Sequence, residues 1–320
     1  MYKNIILVVF MIFIAACSTP KVIIKQDTLP TWYTTVPSDN KFIYSVASSD
    51  TIKQAKKIAI VNMRKSLSNE INKSFKNKNI IEKIQKYNVE VANRLALNRV
   101  KLEKYETFKG KKIVLISIPR KDLFNKIKII SDIKLNRAYQ AEKKALNKSA
   151  VERFIALDLA MKEWFILVSL AEYKSYLIST YNADAEFEFL NKMKKEYNIL
   201  KNSINFYILT DGNSSIFSKK IKNAIKLKGL HVNSKNKSIN NFKVLVTSKT
   251  EESQEYGFNQ SKTLIKISIF DNNKKQIKFR QHTFIGKSKV DYKQAKEQAV
   301  IHLGYKIKKI GIFNFMGFNK

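Results

Sequence analysis

The chain has 320 residues and a formal net charge of +34, from 60 lysines and arginines against 26 acidic residues. This length allows two domains with a connecting element, and a hydrophobic content of 44% is enough for apolar cores. The chain has one cysteine, which excludes internal disulfides and a multi-cysteine metal site. Its eight glycines leave little material for a phosphate-binding loop.

The first sixteen residues have the form of an export signal. The positive Lys3 precedes an uncharged apolar run from Ile5 to Ala16 that contains neither Gly nor Pro. A helix needs about 20 apolar residues to span a bilayer, so this run is too short to span one. It fits the apolar part of a signal peptide, and we expect residues 1–16 to be removed.

The sole cysteine follows this apolar run directly. The segment Ile14-Ala15-Ala16-Cys17 resembles the lipobox of bacterial lipoproteins. The resemblance implies a diacylglycerol thioether on Cys17, cleavage before it, and acylation of the new amine. Two or three acyl chains hold a protein stably, since each buried CH₂ contributes ~0.8 kcal/mol. The alternative is an ordinary secretory signal followed by an unrelated cysteine.

In lipoproteins of Gram-negative bacteria, an Asp directly after the lipidated cysteine tends to retain the protein at the inner membrane. This chain has Ser18 at that position. By the same resemblance, we expect a lipid-anchored protein on the outer membrane that faces the periplasm. This expectation holds for a host that has two membranes. Residues 17–30 are then a lipidated tether.

Residues 31–119 are predicted to form a first α/β domain. Phe42 to Ala47 alternates as a strand does, and Asp50 can cap the helix that follows. A second helix is expected over about 80–98, and Lys109-Gly110 indicates a hairpin whose return strand stops at Pro119. The order β-α-α-β-β is that of a small α/β layer fold.

Residues 120–201 are predicted to be helical because Gly and Pro are absent while Ala, Leu, Lys and Glu are plentiful. Breaks are expected at residues 147–149 and 182–184. The most apolar patch begins at Trp164 and ends at Leu170. We interpret it as core, the alternative being a face that touches a partner or a membrane.

Residues 202–320 are predicted to form a second α/β domain. Strands are expected over 204–209, 242–247, 264–270 and 276–285, with helices over 216–228 and from Asp291 to about 310. The apolar tail 311–318 packs back on the sheet or, alternatively, inserts into lipid. The fold class is therefore mixed α/β, with two small sandwich-like domains joined by a long helical segment.

Two helix starts have matching sequences, Lys53-Gln54-Ala55-Lys56 and Lys293-Gln294-Ala295-Lys296. Each has a second alanine four residues after the first, Ala59 and Ala299, on the same helix face. Small side chains on that face let a helix lie close to a sheet. The match indicates either two versions of one α/β module or chance between two lysine-rich helices.

Residues 30–125 resemble the LPP-twenty family of outer-membrane lipoproteins. The resemblance rests on Trp32 with Pro30 and Pro37, the strand Phe42–Ala47, the Ser49-Asp50 turn, and a helix with Ala55 and Ala59. It implies an outer-membrane lipoprotein without a catalytic residue. Some members of the family resemble parts of flagellar outer rings and disks. The C-terminal part resembles the α/β domains of periplasmic assembly lipoproteins, including activators of penicillin-binding proteins and curli-secretion components.

No set of residues in the sequence indicates catalysis. The three histidines, His231, His282 and His302, lie in separate predicted elements without zinc-binding spacing. The acidic pairs Glu186/Glu188 and Glu251/Glu252 lie in lysine-rich stretches and are expected to be exposed. We therefore expect no catalytic, metal-binding or cofactor-binding residue, and no enzyme activity.

The positive charge has two interpretations. The lysines are spread along the chain, and the abundance of Lys, Asn and Ile is typical of AT-rich codons. Alternatively, the charge binds an anionic partner. Export removes the chain from cytoplasmic nucleic acid, so lipid headgroups, lipopolysaccharide and cell-wall polymer are the candidates.

Three functional hypotheses follow. The first is a non-catalytic outer-membrane lipoprotein that acts through protein contacts in an envelope assembly, such as a flagellar ring or disk. The second is a binding module for anionic cell-wall or lipopolysaccharide polymer, or an activator of a cell-wall synthase. The third, with the least support, is an envelope hydrolase.

Overall fold

The computed structural model describes residues 28–74, 81–97, 99–233 and 240–318. The predicted signal peptide, Cys17 and most of the predicted tether lie outside these residues. The chain divides into two compact units. The first unit contains residues up to 66 together with 96–120, and the second contains residues 67–95 and 121–320.

The mixed α/β fold expected from the sequence is confirmed. The helices of the described residues are α1 (Thr31–Thr34), α2 (Ile52–Ser74), α3 (Ile81–Arg94), α4 (Arg120–Ala145), α5 (Ala150–Met161), α6 (Trp164–Leu177), α7 (Asp184–Ser203), α8 (Ser215–Leu227), α9 (Tyr292–Ile310) and α10 (Ile312–Met316). The strands are β1 (Phe42–Ser49), β2 (Lys101–Phe108), β3 (Lys111–Pro119), β4 (Ile204–Thr210), β5 (His231–Val232), β6 (Asn240–Glu255), β7 (Phe258–Phe270) and β8 (Gln276–Ser288).

The first unit contains an antiparallel sheet in the order β1-β3-β2. Alternation in β1 buries Ile43, Ser45 and Ala47, the last opposite Val114 of β3. On the other face, Trp32 of α1 packs against Ile113 and Leu115 of β3. The two faces of this small sheet are therefore both used for packing, because successive side chains of a strand point to opposite faces.

The helices of the second unit are joined by a buried polar contact between α3 and α6. The Asn88 side chain accepts a hydrogen bond from Ser169, and its backbone carbonyl accepts one of 2.8 Å from the Tyr173 hydroxyl. Tyr87 stacks on Phe165 beside it, with ring centroids 5.2 Å apart. Because buried polar groups cost free energy unless they are paired, these bonds specify how α3 lies on α6.

The second unit also contains a five-stranded sheet in the order β5-β4-β6-β7-β8. β4 is parallel to β5 and β6, whereas β6, β7 and β8 are antiparallel. Helices α8, α9 and α10 lie on one face of this sheet. On that face β6 and β7 bury Val244, Val246, Ile265, Ile267 and Ile269 in the main core.

Helix α9 lies unusually close to β8. A Cβ atom at Gly286 of β8 would overlap the carbonyl oxygen of Ala295 and lie 2.6 Å from the amide nitrogen of Ala299. Both alanines are fully buried. The close approach of helix and sheet predicted from these alanines is therefore confirmed at this end, and it requires glycine on the strand.

The apolar tail packs on the sheet, as the first of the two interpretations predicted. Phe315 of α10 stacks on His282 of β8, with ring centroids 4.2 Å apart. Phe313 packs edge-on against Phe154 of α5. The tail thus fills the space between the sheet and the helices, and all its large apolar side chains up to Phe318 are buried.

Most predicted elements are present, but β7 begins six residues before its predicted start, and the short helices α1 and α10 were not expected. The helical segment has a further break between Met161 and Trp164, and β5 was not expected. Strand β6 continues to Glu255, eight residues beyond its predicted end, because its polar distal half pairs with β7 rather than forming a loop. The domain limits drawn from the sequence stay a prediction.

Replacing Gly286 by alanine tests the close contact between α9 and β8. The added methyl meets backbone atoms, which cannot move aside, so Gly286→Ala should lower the free energy of unfolding by about 3 kcal/mol, the upper end for overpacking. Urea unfolding of the full chain, followed by circular dichroism, measures this change.

Gly304→Ala in α9 is the matched control. A Cβ atom at this mid-helix glycine has no neighbour within 4 Å, so the substitution should stabilise the helix by about 0.5–1 kcal/mol. Equal losses of stability in the two variants would contradict the proposed contact.

Candidate interaction surfaces

The structure does not bring the residues singled out in the sequence together. The lipobox residues Ile14, Ala15 and Ala16 and the lipidation site Cys17 lie outside the described residues. The three histidines lie on different elements, namely β5, β8 and α9. Among the residues that the structure describes, no group of three His, Cys, Asp or Glu side chains could hold a metal ion.

Two of the histidines donate hydrogen bonds to backbone carbonyls. His282 Nε2 donates to the carbonyl of Phe315 at 2.8 Å, and His302 Nδ1 donates to that of Ile285 at 2.7 Å. Burial lowers the pKa of His282, because the ring loses water on packing against Phe315. Both histidines therefore help to hold the helical layer on β8.

A fully buried lysine lies at the centre of a polar cluster in the second unit. Lys174 Nζ of α6 donates to both carboxylate oxygens of Glu186 at 2.6 Å and to Ser131 Oγ at 2.8 Å. The Tyr181 hydroxyl donates to the same carboxylate, and burial followed by this bond raises the pKa of Tyr181. The expectation that Glu186 is exposed was wrong, because its carboxylate is the partner that neutralises Lys174.

The acidic pair Glu251/Glu252 is exposed, as expected, at the distal end of β6. This strand and β7 are joined by a two-residue turn in which Tyr256 and Gly257 both have positive φ, 51° and 75°. A turn of this kind favours Asn or Asp before Gly, and a bulky residue there is strained. Tyr256 is nonetheless 97% exposed.

The distal half of β6 has a free edge. Its pairing with β4 ends at Val246, and beyond it β7 is the one strand of the described residues that pairs with it. Residues 250–261 carry Glu251, Glu252 and Glu255 but no lysine or arginine. We name residues 250–261 the acidic hairpin. Lysines of the same sheet adjoin its glutamates: Lys262 is the register partner of Glu251, and Lys287 of β8 lies 3.7 Å from Glu255.

The face of the five-stranded sheet opposite the helices is uncovered. Alternation along the strands places Tyr207, Leu209, Phe279 and Ile285 on it, and all four are exposed. Leu209 and Leu245 are register partners, so part of this apolar surface is continuous across β4 and β6. Lys243 and Lys266 share the face and form no ion pair with any described residue.

A groove runs between α8 and α9, which lie side by side. Each helix uses one stripe for the core, for example Phe217, Ile221 and Ile225 of α8. A second stripe of each helix lines a cavity of about 600 Å³, which contains Ala224, Leu227, Ile301, Gly304 and Tyr305. A cleft of about 350 Å³ that shares Lys220, Asn223 and Ile301 extends it toward Ile216.

The walls of this groove are apolar and accessible. Leu227 is 88% exposed and Tyr305 is 66% exposed. The floor contains Gly304, above which there is open space. A glycine in a helix interior costs stability, and here no close neighbour requires it. We name this feature the α8–α9 groove.

The rim of the α8–α9 groove is basic. Lys219, Lys220 and Lys308 line it, with Glu297 as the one acidic residue among the lining side chains. An apolar groove with a positive rim is complementary to an apolar segment that carries negative charge beside it. Sequence patterns missed this surface, because its apolar residues are also compatible with a wider core stripe on each helix.

No helix in the described part of the chain combines the length and apolar character needed to cross a membrane.

The buried ion pair yields a stability prediction. Lys174→Met leaves the largely buried Glu186 carboxylate without its counter-charge, so the free energy of unfolding should fall by about 3–5 kcal/mol. The double variant Lys174→Met/Glu186→Gln removes both charges and should recover much of that loss. Chemical denaturation of both variants measures the difference. If the single and the double variant were equally stable, the unpaired Glu186 charge would not be the cause of the loss.

The lowered pKa of His282 yields a pH prediction. The folded chain binds a proton at His282 less well than the unfolded chain does. The contribution of this histidine to the free energy of unfolding is therefore complete above about pH 6.5 and is lost as pH falls toward the folded pKa. The variant His282→Gln keeps a donor for Phe315 but does not titrate. Its unfolding free energy should therefore fall less than that of the wild type between pH 7 and 5, as denaturation at each pH will show.

Comparison with known proteins gives no assignment. No protein-family model and no curated protein matches the chain. Solved structures that are similar at a low level include the following two. A minor lipoprotein from Acinetobacter baumannii is 12% identical over 34% of this chain and 88% of its own, with a TM-score of 0.28. A secreted protein from Helicobacter pylori is 13% identical over 87% of this chain and 99% of its own, with a TM-score of 0.33.

Proposed function

We propose that this chain is a non-catalytic, lipid-anchored protein of the outer membrane that acts through protein contacts in an envelope assembly. The α8–α9 groove is the observation that carries the proposal, because it presents accessible apolar side chains that the fold itself does not use. Exposed apolar surface of this kind marks interaction sites.

The lipobox-like segment that ends at Cys17 supports the location of this activity. Lipid on Cys17 would hold the first unit close to the bilayer, since the tether from Ser18 to Leu29 spans at most about 40 Å when fully extended. The resemblance of residues 30–125 to the LPP-twenty family supports a role in rings or disks of the envelope.

The anchor and the assembly role can be tested together. We expect mass spectrometry of the protein from sucrose-gradient fractions to find a lipidated peptide that starts at Cys17 in the outer membrane. Solubilised under mild conditions, the protein should migrate in complexes larger than the 37.1 kDa chain. The variant Cys17→Ala should lose both the lipid and the complexes. A lipidated protein that is strictly monomeric in intact-cell crosslinking would contradict the assembly role.

One observation favours a second function. Lys243 and Lys266 lie on the uncovered sheet face without an acidic partner among the described residues, beside the exposed Tyr207 and Phe279. Such a face suits an anionic cell-wall or lipopolysaccharide polymer. Binding by lysines is screened by salt, so a pull-down on purified sacculi should weaken steeply between about 0.01 and 0.15 M salt. The variant Lys243→Glu/Lys266→Glu should abolish it, whereas a substitution in the groove should not.

A further inference from the structure

We propose that Asn213, in the exposed turn between β4 and α8, is an N-glycosylation site that accepts a glycan from a polyprenyl diphosphate carrier. The inference goes beyond protein contacts and rests on the proposed function only for the export of the chain, because such transfer takes place outside the cytoplasm. Three observations carry it: the sequence around Asn213, the exposure of its side chain, and the fold contacts of the competing sites.

The acceptor sequence narrows the choice to two asparagines. Four asparagines of the described residues have the form Asn-x-Ser/Thr with x other than proline, namely Asn72, Asn147, Asn213 and Asn259. In an exported protein this sequence is a glycosylation acceptor when it lies in a surface loop. Bacterial transferases also select an acidic residue two positions before the asparagine. Glu70 and Asp211 stand there, so the sequence favours Asn72 and Asn213.

The side chain of Asn72 is used by the fold. Asn72 lies in the last turn of α2, directly after the fully buried Ile71. Its side-chain oxygen accepts a hydrogen bond of 2.7 Å from Asn88, which is itself buried between α3 and α6. Transfer of a glycan to Asn72 would break this bond and unwind the end of α2. The folded chain therefore does not offer Asn72 as an acceptor.

The two sites without an acidic residue are also held by fold contacts. In the site at Asn147, the Ser149 hydroxyl donates to Glu152 at 2.9 Å as part of the capping box of α5. In the site at Asn259, the side-chain oxygen accepts a hydrogen bond from Gln254, and the side chain of Ser261 is fully buried. Neither site presents both an accessible amide and an accessible hydroxyl.

The site at Asn213 presents both groups to solvent. Gly212, Asn213 and Ser215 are exposed, and a Cβ atom at Gly212 would have no neighbour within 4 Å. Neither the Asn213 amide nor the Ser215 hydroxyl forms a hydrogen bond with any residue that the structure describes. A bulky, hydrated glycan on Asn213 therefore has space to project from the surface.

The conformation of the turn does not depend on Asn213. The Asp211 carboxylate accepts hydrogen bonds from the amides of Ser214 at 2.9 Å and Ser248 at 3.2 Å. The buried Ser214 hydroxyl donates to the carbonyl of Val246 at 2.7 Å. Opening the turn for a transferase breaks these few bonds and leaves β4 and α8 in place. Such local opening costs only a part of the global free energy of unfolding.

The transfer is a substitution at the anomeric carbon of the first sugar. The side-chain nitrogen of Asn213 forms the new bond to this carbon, and the bond from the carbon to the diphosphate oxygen breaks. The polyprenyl diphosphate leaves with the electron pair of the broken bond. One amide proton passes to a base of the transferase, so neither group is oxidised or reduced.

Mass spectrometry of the full chain from its native membrane tests the site. Cleavage after Lys201 and Lys219 releases one peptide that contains Asn213, and cleavage after Lys65 and Lys73 releases one that contains Asn72. We expect the first peptide to carry a glycan mass on Asn213. The second peptide should be unmodified, because its asparagine is bonded to Asn88.

Three variants at exposed positions separate modification from folding. Asn213→Gln and Ser215→Ala each remove one element of the acceptor and should reduce the modified fraction at least about tenfold. Ser215→Thr is the matched control, because it keeps the hydroxyl and should keep the glycan. All three should give the circular dichroism spectrum of the parent chain, since neither side chain hydrogen-bonds with the described fold.

The outcomes distinguish this inference from the proposed function. An unmodified Asn213 in a chain whose Cys17 peptide is lipidated would overturn the inference and leave the proposed function standing. A glycan on Asn72 in place of Asn213, or one that Ser215→Ala retains, would also overturn it. Absence of both the lipid and the glycan would count against both.

Discussion

The close contact between α9 and β8 determines how the second unit is built. Gly286 lets the backbone of α9 approach the sheet, and the buried alanines at 295 and 299 keep the two elements close. Because α9 is seated this deeply, only one of its stripes reaches the core. The remaining apolar stripe is left at the surface beside α8, where it forms the groove.

The same constraint makes the sheet one-sided. Helices α8, α9 and α10 cover one face, and the main core extends from there into the helices α4 to α7. The opposite face has exposed apolar side chains at Tyr207, Leu209, Phe279 and Ile285. Lysines on this face keep it hydrated, so the fold is stable with a sheet that is packed from a single side.

Local signals in the sequence predicted the elements well. The alternation in β1, the turn at Lys109-Gly110 and the cap at Asp291 are each determined by neighbours in the chain, and each is present. The break after Met161 has no Gly or Pro to mark it. The distal half of β6 has no apolar alternation, because it lies beyond the core and forms a strand only through its pairing with β7.

The candidate sites were less predictable, because they depend on contacts between residues that are distant in sequence. Lys174 and Glu186 are twelve residues apart on different helices, and nothing in the lysine-rich segment marks this one lysine as buried. The groove joins residues near 224 with residues near 304. Hydrophobic periodicity shows that each helix has apolar residues but not which of them the core uses.

The free edge of β6 has a consequence for how copies of this chain avoid disordered aggregation. An unpaired edge strand invites the same edge of a second molecule to extend the sheet, as in amyloid. Here that symmetric pairing would set the glutamates at 251, 252 and 255 against an identical row, and like charges directly opposite are destabilising. The acidic residues thus disfavour pairing between the identical edges of two copies, which limits aggregation through this edge.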